Sequence, residues 1–215
     1  MRLGPTSRVP RWLAGLTAAG LLAMGLLTAP ALVPLATTTI AKASAACPDA
    51  EVDFARGREE APGVGAVGQA FINSLQRKVP HMTIGSYGVN YPANISVDSG
   101  ANDMSAHVQQ MAASCPNTKL VLGGYSLGAE VADLATASRM PPGANQHVAA
   151  VALFGNATRG PAPAFAGKTI DQCAAGDPIC TRGGLRDLHW SSHLQPSYID
   201  SGLVDQAAGF VAGKL

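Results

Sequence analysis

Ser126 stands between Gly124 and Gly128 in the stretch VLGGYSLGAEVADLA, which runs from Val121 to Ala135. An alkyl hydroxyl attacks carbonyl carbon efficiently only when a base takes its proton and an acid orients that base. The GxSxG spacing serves this chemistry where it joins a strand to a helix. The turn strains the serine backbone, the flanking glycines avoid collisions, and the hydroxyl is lifted towards the positive end of the helix. As a bare pattern the motif is weak, and its context decides. Leu120 to Leu122 supply an apolar strand before the serine, and Glu130 to Ala137 supply a helical pattern after it, so Ser126 is expected to react rather than merely to turn the chain.

The partners must lie elsewhere in the chain. In α/β-hydrolases the order is serine, then aspartate or glutamate, then histidine. The histidines after Ser126 are His147, His189 and His193. His147 begins a predicted buried strand, which leaves His189 and His193 in the loop before the last helix. Among the acids, Asp177 lies between Cys173 and Cys180, so a bridge between those cysteines would hold its loop rigid. Glu130 and Asp133 fall on the helix after the serine and are expected to face solvent, while Asp171 and Asp187 read as surface positions.

The elements that would position these groups alternate along the chain. Val52 to Ala55, Met82 to Tyr87, Lys119 to Gly123 and His147 to Phe154 read as short strands. Ala66, Val67, Ala70, Phe71 and Leu75 recur at helical spacing, as do Met104, Val108, Met111 and Ala112. A third helix is expected from Leu127 to about Ser138, and a last one from Tyr198 or Ile199 to Leu215. Apolar strands separated by helices predict a three-layer α/β fold, with a mostly parallel sheet of about five strands covered on both faces. The region from Asn156 to Leu194 reads as loop-rich, without a long helical lid.

The first 45 residues contain Arg2, Arg8, Arg11 and Lys42 and no acid, and the apolar run from Leu13 to Ala36 is broken by Pro30 and Pro34. Ala43-Ser44-Ala45 offers the small-x-small pattern of a signal-peptidase site, so residues 1–45 are expected to be a cleaved signal peptide and the protein to be secreted. The run is long enough to span a bilayer, but its prolines and the small-residue site favour cleavage over an anchor. Residues 46–215 then form a single domain of formal charge −3, which argues against a nucleic-acid partner. All four cysteines follow Ala45. In an exported chain they read as two disulfides, since their spacing lacks the CxxC pairs and nearby histidines of a metal site. Three pairings are possible. Gly176, Asp177 and Pro178 make a local Cys173–Cys180 bridge attractive, leaving Cys47 for Cys115.

These features converge on a resemblance. GYSLGA (Gly124 to Ala129), CAAGDPIC (Cys173 to Cys180), FARG (Phe54 to Gly57) followed by acids and PGVG, VNYPA (Val89 to Ala93), and a histidine before a C-terminal amphipathic helix together resemble the cutinase family of serine esterases. The resemblance runs from Cys47 to the end. It implies Ser126 as nucleophile, His193 as base, Asp177 as the acid that orients it, and Cys47–Cys115 with Cys173–Cys180 as the disulfides. It also implies that the backbone N–H groups of Leu127 and Arg58 form the oxyanion hole, with no metal or cofactor. Three departures stand out. Leu127 replaces a frequent glutamine, Arg58 replaces a serine or threonine whose hydroxyl would add a donor, and the spacing from His193 to Tyr198 in HLQPSY is about two residues longer than is usual in the family. Without a long lid the chain is expected to hydrolyse short- to medium-chain esters or lipids, a family of cutin, lipid and acetylxylan esterases leaving the substrate itself open, and it is expected to be a monomer in transient contact with lipid or cell-envelope surfaces. The alternatives are a hydrolase-fold protein that has lost turnover and binds lipid or glycan, and a secreted peptidase with the same three side chains. Leu185, Leu188, Trp190 and Leu194 crowd the histidine loop and are expected to contribute an apolar lip.

Overall fold

The computed structural model describes residues 46–158, 162–180 and 190–215. The proposed signal peptide, His189, Asp187, Leu185 and Leu188 lie outside them. Among the described residues five strands form one sheet in the order β2-β1-β3-β4-β5, every pair parallel. These are β1 (Ala50–Ala55), β2 (Ile84–Gly88), β3 (Lys119–Tyr125), β4 (Val148–Phe154) and β5 (Thr169–Gln172). The helices are α1 (Gly65–Lys78), α2 (Asp98–Ser114), α3 (Leu127–Leu134), α4 (Pro196–Ile199) and α5 (Leu203–Ala212).

A sheet buried on both faces needs apolar side chains on both sides of every central strand. Leu120 and Leu122 of β3 pack with Met104 and Val108 of α2 and Val131 of α3. Val121 points the other way, into a cluster with Phe71 of α1 and Ala207 of α5. In β4 one extra residue separates the partners of Leu120 and Val121, which pair with Val148 and Ala150. A bulge of this kind shifts the alternation by one, so Val148 and Val151 share the α2–α3 side. The other face is centred on Phe54, Phe71 and Phe154, whose ring centroids lie 5.9 to 6.4 Å apart. Tyr198 meets Phe154 edge-on at 6.3 Å.

The structure departs from the expected elements in three places. β5 lies inside the region read as loop, because Thr169–Gln172 is short and offers little alternation of its own. It is held by pairing with β4 rather than by propensity. The last helix is divided: Gly202, at φ 85°, turns the chain between α4 and α5, a conformation that glycine adopts without steric cost. The helix after Ser126 gives way at Ala135 to a five-residue π turn ending at Arg139.

Two disulfides are present, Cys47–Cys115 and Cys173–Cys180. The first joins the chain just before β1 to the residue that ends α2, at the N-terminal edge of the sheet, opposite Ser126. Opening it frees a loop of 68 residues' separation. Replacing both Cys47 and Cys115 by serine is expected to lower the unfolding free energy by about 4 kcal/mol, measured by urea denaturation, while esterase activity of the folded fraction is retained.

Candidate active site

Strand β3 ends where Ser126 takes φ 56° and ψ −121°, a backbone conformation that is costly for a residue with a Cβ. The surroundings hold it there. The Ser126 N–H donates to the Phe154 carbonyl at 2.8 Å, and the Ser126 carbonyl accepts from the Ala129 N–H at 2.9 Å. A Cβ on Gly124 would stand 2.0 Å from the Gly128 oxygen, and one on Gly128 would stand 1.9 Å from the Ala55 oxygen. Only hydrogen fits at either position. The motif therefore encodes a close approach of three backbone segments, which leaves the serine hydroxyl at the start of α3.

That hydroxyl lies 2.7 Å from Nε2 of His193. The other ring nitrogen, Nδ1, lies 2.7 Å from Oδ2 of Asp177. A carboxylate only accepts, so Nδ1 carries the proton and Nε2 turns its lone pair towards the serine. Asp177 is fully buried. The Ile179 N–H donates to its Oδ1 at 2.7 Å, and the Tyr198 hydroxyl donates to its Oδ2. The Asp177 N–H bonds to Ala174 O at 3.0 Å within the loop that the Cys173–Cys180 bridge closes. Tyr125, next to the serine, donates its hydroxyl to the His193 backbone carbonyl and lays its ring 5.6 Å from the imidazole. Burial pushes the Tyr125 and Tyr198 hydroxyls well above the usual phenol range, and for Tyr198 the Asp177 carboxylate adds to that rise. Both therefore remain donors at neutral pH.

The extra length of HLQPSY is absorbed in tight turns. Leu194 N bonds to Ser191 O at 3.3 Å and Ser197 N to Leu194 O at 3.0 Å, so His193 and Tyr198 converge on the same carboxylate. Gly155 makes room for them, since a Cβ there would meet the Tyr198 hydroxyl at 2.8 Å and His193 Cε1 at 3.1 Å.

Arg58, Ser126, Ile179, Trp190, His193 and Leu194 border one cleft of about 350 Å³. Trp190 and Leu194 are 53% and 54% exposed, so they form a rim rather than packing into the core. The chain carrying Arg58 is shaped by groups that the sequence reading quoted in motifs without giving them roles. Buried Arg56 donates from Nε to the Glu60 carbonyl at 2.8 Å and from Nη2 to the Tyr91 carbonyl at 2.7 Å, while the Tyr91 hydroxyl donates back to the Arg56 carbonyl. The Glu60 carboxylate accepts from the backbone N–H of Gly57 at 2.6 Å and of Ala66 at 3.0 Å. FARG, the acids after it and NYPA thus form one clamp at the end of β1. The spacing of Arg56 and Glu60 was the available signal.

Two acids differ from expectation. Asp133, read as solvent-facing, is buried and accepts from the Thr158 hydroxyl. Glu130 is half-buried, and burial raises its carboxyl above the ordinary range although the Arg58 charge opposes this. Both sit further along α3 and border a separate hollow with Val97 and Thr158 rather than the serine cleft. His147 caps a short turn ahead of β4 rather than starting the strand.

Tyr198→Phe removes a donor from a buried carboxylate, and such a loss costs about 1–3 kcal/mol. The variant is expected to show a lower melting temperature and reduced kcat with little change in KM, read by thermal unfolding and steady-state ester hydrolysis. Gly128→Ala is expected to lose stability and activity together, because the methyl would occupy the position of a backbone carbonyl.

The chain is similar to a known set of proteins. A family model described as Cutinase matches residues 46–215. The probable carboxylesterase Culp2 of Mycobacterium tuberculosis is 51% identical over 193 residues, covering 82% of this chain and 84% of that protein. Phospholipase Culp4 of the same organism is 46% identical over 224 residues, covering 95% and 96%. Among solved structures, Trichoderma reesei cutinase in complex with a phosphonate inhibitor is 36% identical with a TM-score of 0.65, covering 78% of this chain and 76% of that one. The chain therefore belongs to the cutinase family of serine esterases.

Proposed function

We propose that this protein is an exported carboxylic ester hydrolase acting on short- to medium-chain esters or lipids through Ser126, His193 and Asp177. The observation that carries the reading is the unbroken line of two 2.7 Å contacts from the serine oxygen through the imidazole to a buried carboxylate. In this mechanism Ser126 Oγ attacks the ester carbonyl as Nε2 of His193 takes its proton. The backbone N–H groups of Leu127, in the first turn of α3, and of Arg58, across the cleft, hold the oxyanion. The alcohol leaves with the proton from Nε2, and an acyl group remains on the serine. Water, deprotonated by the same nitrogen, then releases the acid and restores the hydroxyl. Asp177 keeps the imidazole in the required tautomer and stabilises it while charged.

The cleft supports this substrate class. Its volume of about 350 Å³ is near the lower end for small-molecule sites, and its apolar rim of Trp190, Leu194 and Ile179 suits an acyl chain of modest length. Relatives named carboxylesterase and phospholipase support esters of this kind. Export is supported by the N-terminal pattern and by two disulfides, which persist in oxidising compartments. Among the described residues no helix is long and apolar enough to cross a membrane.

Purified protein is expected to hydrolyse p-nitrophenyl butyrate, and Ser126→Ala to reduce kcat by about 10⁵-fold or more. A fluorophosphonate probe should label Ser126 alone. Equal rates for the two proteins, or labelling elsewhere, would overturn the assignment. Arg58→Thr keeps the backbone N–H and adds a hydroxyl near the oxyanion. A donor of that type is worth about 3 kcal/mol when well placed, so kcat is expected to rise by tenfold or more, measured on the same ester.

A further inference from the structure

A second cluster of chemistry-bearing side chains lies on β1, apart from the serine cleft. Glu51 and Asp53 are two residues apart on a strand and so project from the same face, towards α2. His107 of α2 meets them there, with Nε2 at 2.7 Å from Glu51 Oε1 and 3.6 Å from Asp53 Oδ1. One ligand-type atom from each of the three lies within 4.8 Å of the others. The imidazole is braced from behind: Tyr87 stacks on it at 3.6 Å, 6° from parallel, and the Tyr87 hydroxyl donates to Asp103 at 2.8 Å.

The Asp53 carboxyl is wholly buried, and neither oxygen meets a hydrogen-bond donor among the described residues. A buried carboxylate without donors is costly. Here the neighbours increase the cost, since the carboxylates of Glu51 and Asp103 add negative charge around it. Glu51 and His107 are partly exposed, with side chains 14% and 13% accessible, which gives the cluster an opening to solvent. A small dication would fit these features together. It would supply the charge that three carboxylates face and a bonding partner for the orphaned oxygens.

We propose that Glu51, Asp53 and His107 form a binding site for one divalent transition-metal ion of the zinc class, which ties α2 to β1. An imidazole nitrogen with two carboxylate oxygens is a mixed N/O set that suits Zn²⁺, whereas Mg²⁺ and Ca²⁺ favour all-oxygen sites. Three protein ligands leave a fourth position for water. Binding requires the Glu51–His107 contact to open slightly, so that each ligand atom can approach to about 2.0–2.2 Å. The site lies on the strand that leads to the Arg56–Glu60 clamp and stabilises the scaffold without touching the ester.

The test uses the whole purified protein, freed of metal with EDTA, and ZnCl₂ as probe. Calorimetric titration is expected to give about one Zn²⁺ per chain, and saturating zinc to raise the melting temperature by about 5 °C or more. Asp53→Asn keeps the volume and removes the charge, and should weaken zinc binding at least 100-fold while leaving p-nitrophenyl butyrate hydrolysis intact. Glu51→Gln and His107→Gln alter part-exposed positions and repeat the test should Asp53→Asn fold poorly. Three results would overturn the proposal. One is no zinc binding by the wild-type protein, which would leave Glu51 and Asp53 sharing a proton. Another is equal zinc affinity in the variants, which would place the ion at a surface histidine. The third is a response to Ca²⁺ but none to Zn²⁺, which would exclude the imidazole.

Discussion

The backbone at Gly128 passes so close to the end of β1 that a single methyl would sit 1.9 Å from the Ala55 carbonyl oxygen, and Gly124 is pressed as tightly against Gly128. This contact carries the strain at Ser126. A serine at φ 56° is unfavourable in isolation and persists because the strand, the turn and the helix cannot separate without losing the packing of α3 against β1 and β3. The price is met by the core: Leu120, Leu122, Val131 and Ala132 are all fully buried around the turn.

The rest of the site follows from where the parallel strands end. All five strands run the same way, so their C-terminal ends share one edge of the sheet, where open α/β sheets place their ligands. β1 contributes the Arg56–Glu60 clamp, β3 the serine, β4 Gly155, and β5 leads into the disulfide-closed loop of Asp177. His193 arrives from a turn rather than a strand, and it is correspondingly over-determined. Its backbone carbonyl is held by Tyr125, its Nδ1 by Asp177, and Asp177 in turn by Tyr198 and the Ile179 N–H. Tyr125 and Tyr198 also meet each other edge-on at 5.5 Å, so the aromatic packing beneath the cleft extends continuously from the sheet to the histidine.

Two buried polar groups, one within β1 and one just past its end, contrast in how they are satisfied. Just past the C-terminal end, buried Arg56 donates from its guanidinium to the backbone carbonyls of Glu60, Val89 and Tyr91, with the Tyr91 ring 5.0 Å away. Burial raises the Tyr91 phenol to about 12, partly offset by the Arg56 charge. Three residues earlier, within the strand, Asp53 is buried as well and has no donor among the described residues. A strand that satisfies one buried charge so fully and leaves another without protein donors presents two environments of different purpose.

What residue type and spacing could determine was local. Gly-x-Ser-x-Gly after an apolar run requires a tight turn for steric reasons alone, and helical and strand periodicities placed α1, α2 and four of the five strands near their positions. Motif resemblance reached further, bringing Asp177 and His193 to Ser126 across 51 and 67 residues. Other features were decided only in three dimensions. β5 forms because β4 offers an edge to pair with, and Gly202 divides the last helix where the periodicity ran straight through. Asp133 is buried because α3 packs onto the loop carrying Thr158, which helical periodicity alone does not reveal. The Glu51–Asp53–His107 cluster joins residues 54 and 56 positions apart; their proximity depends on α2 crossing β1, and a linear pattern carries no record of that crossing.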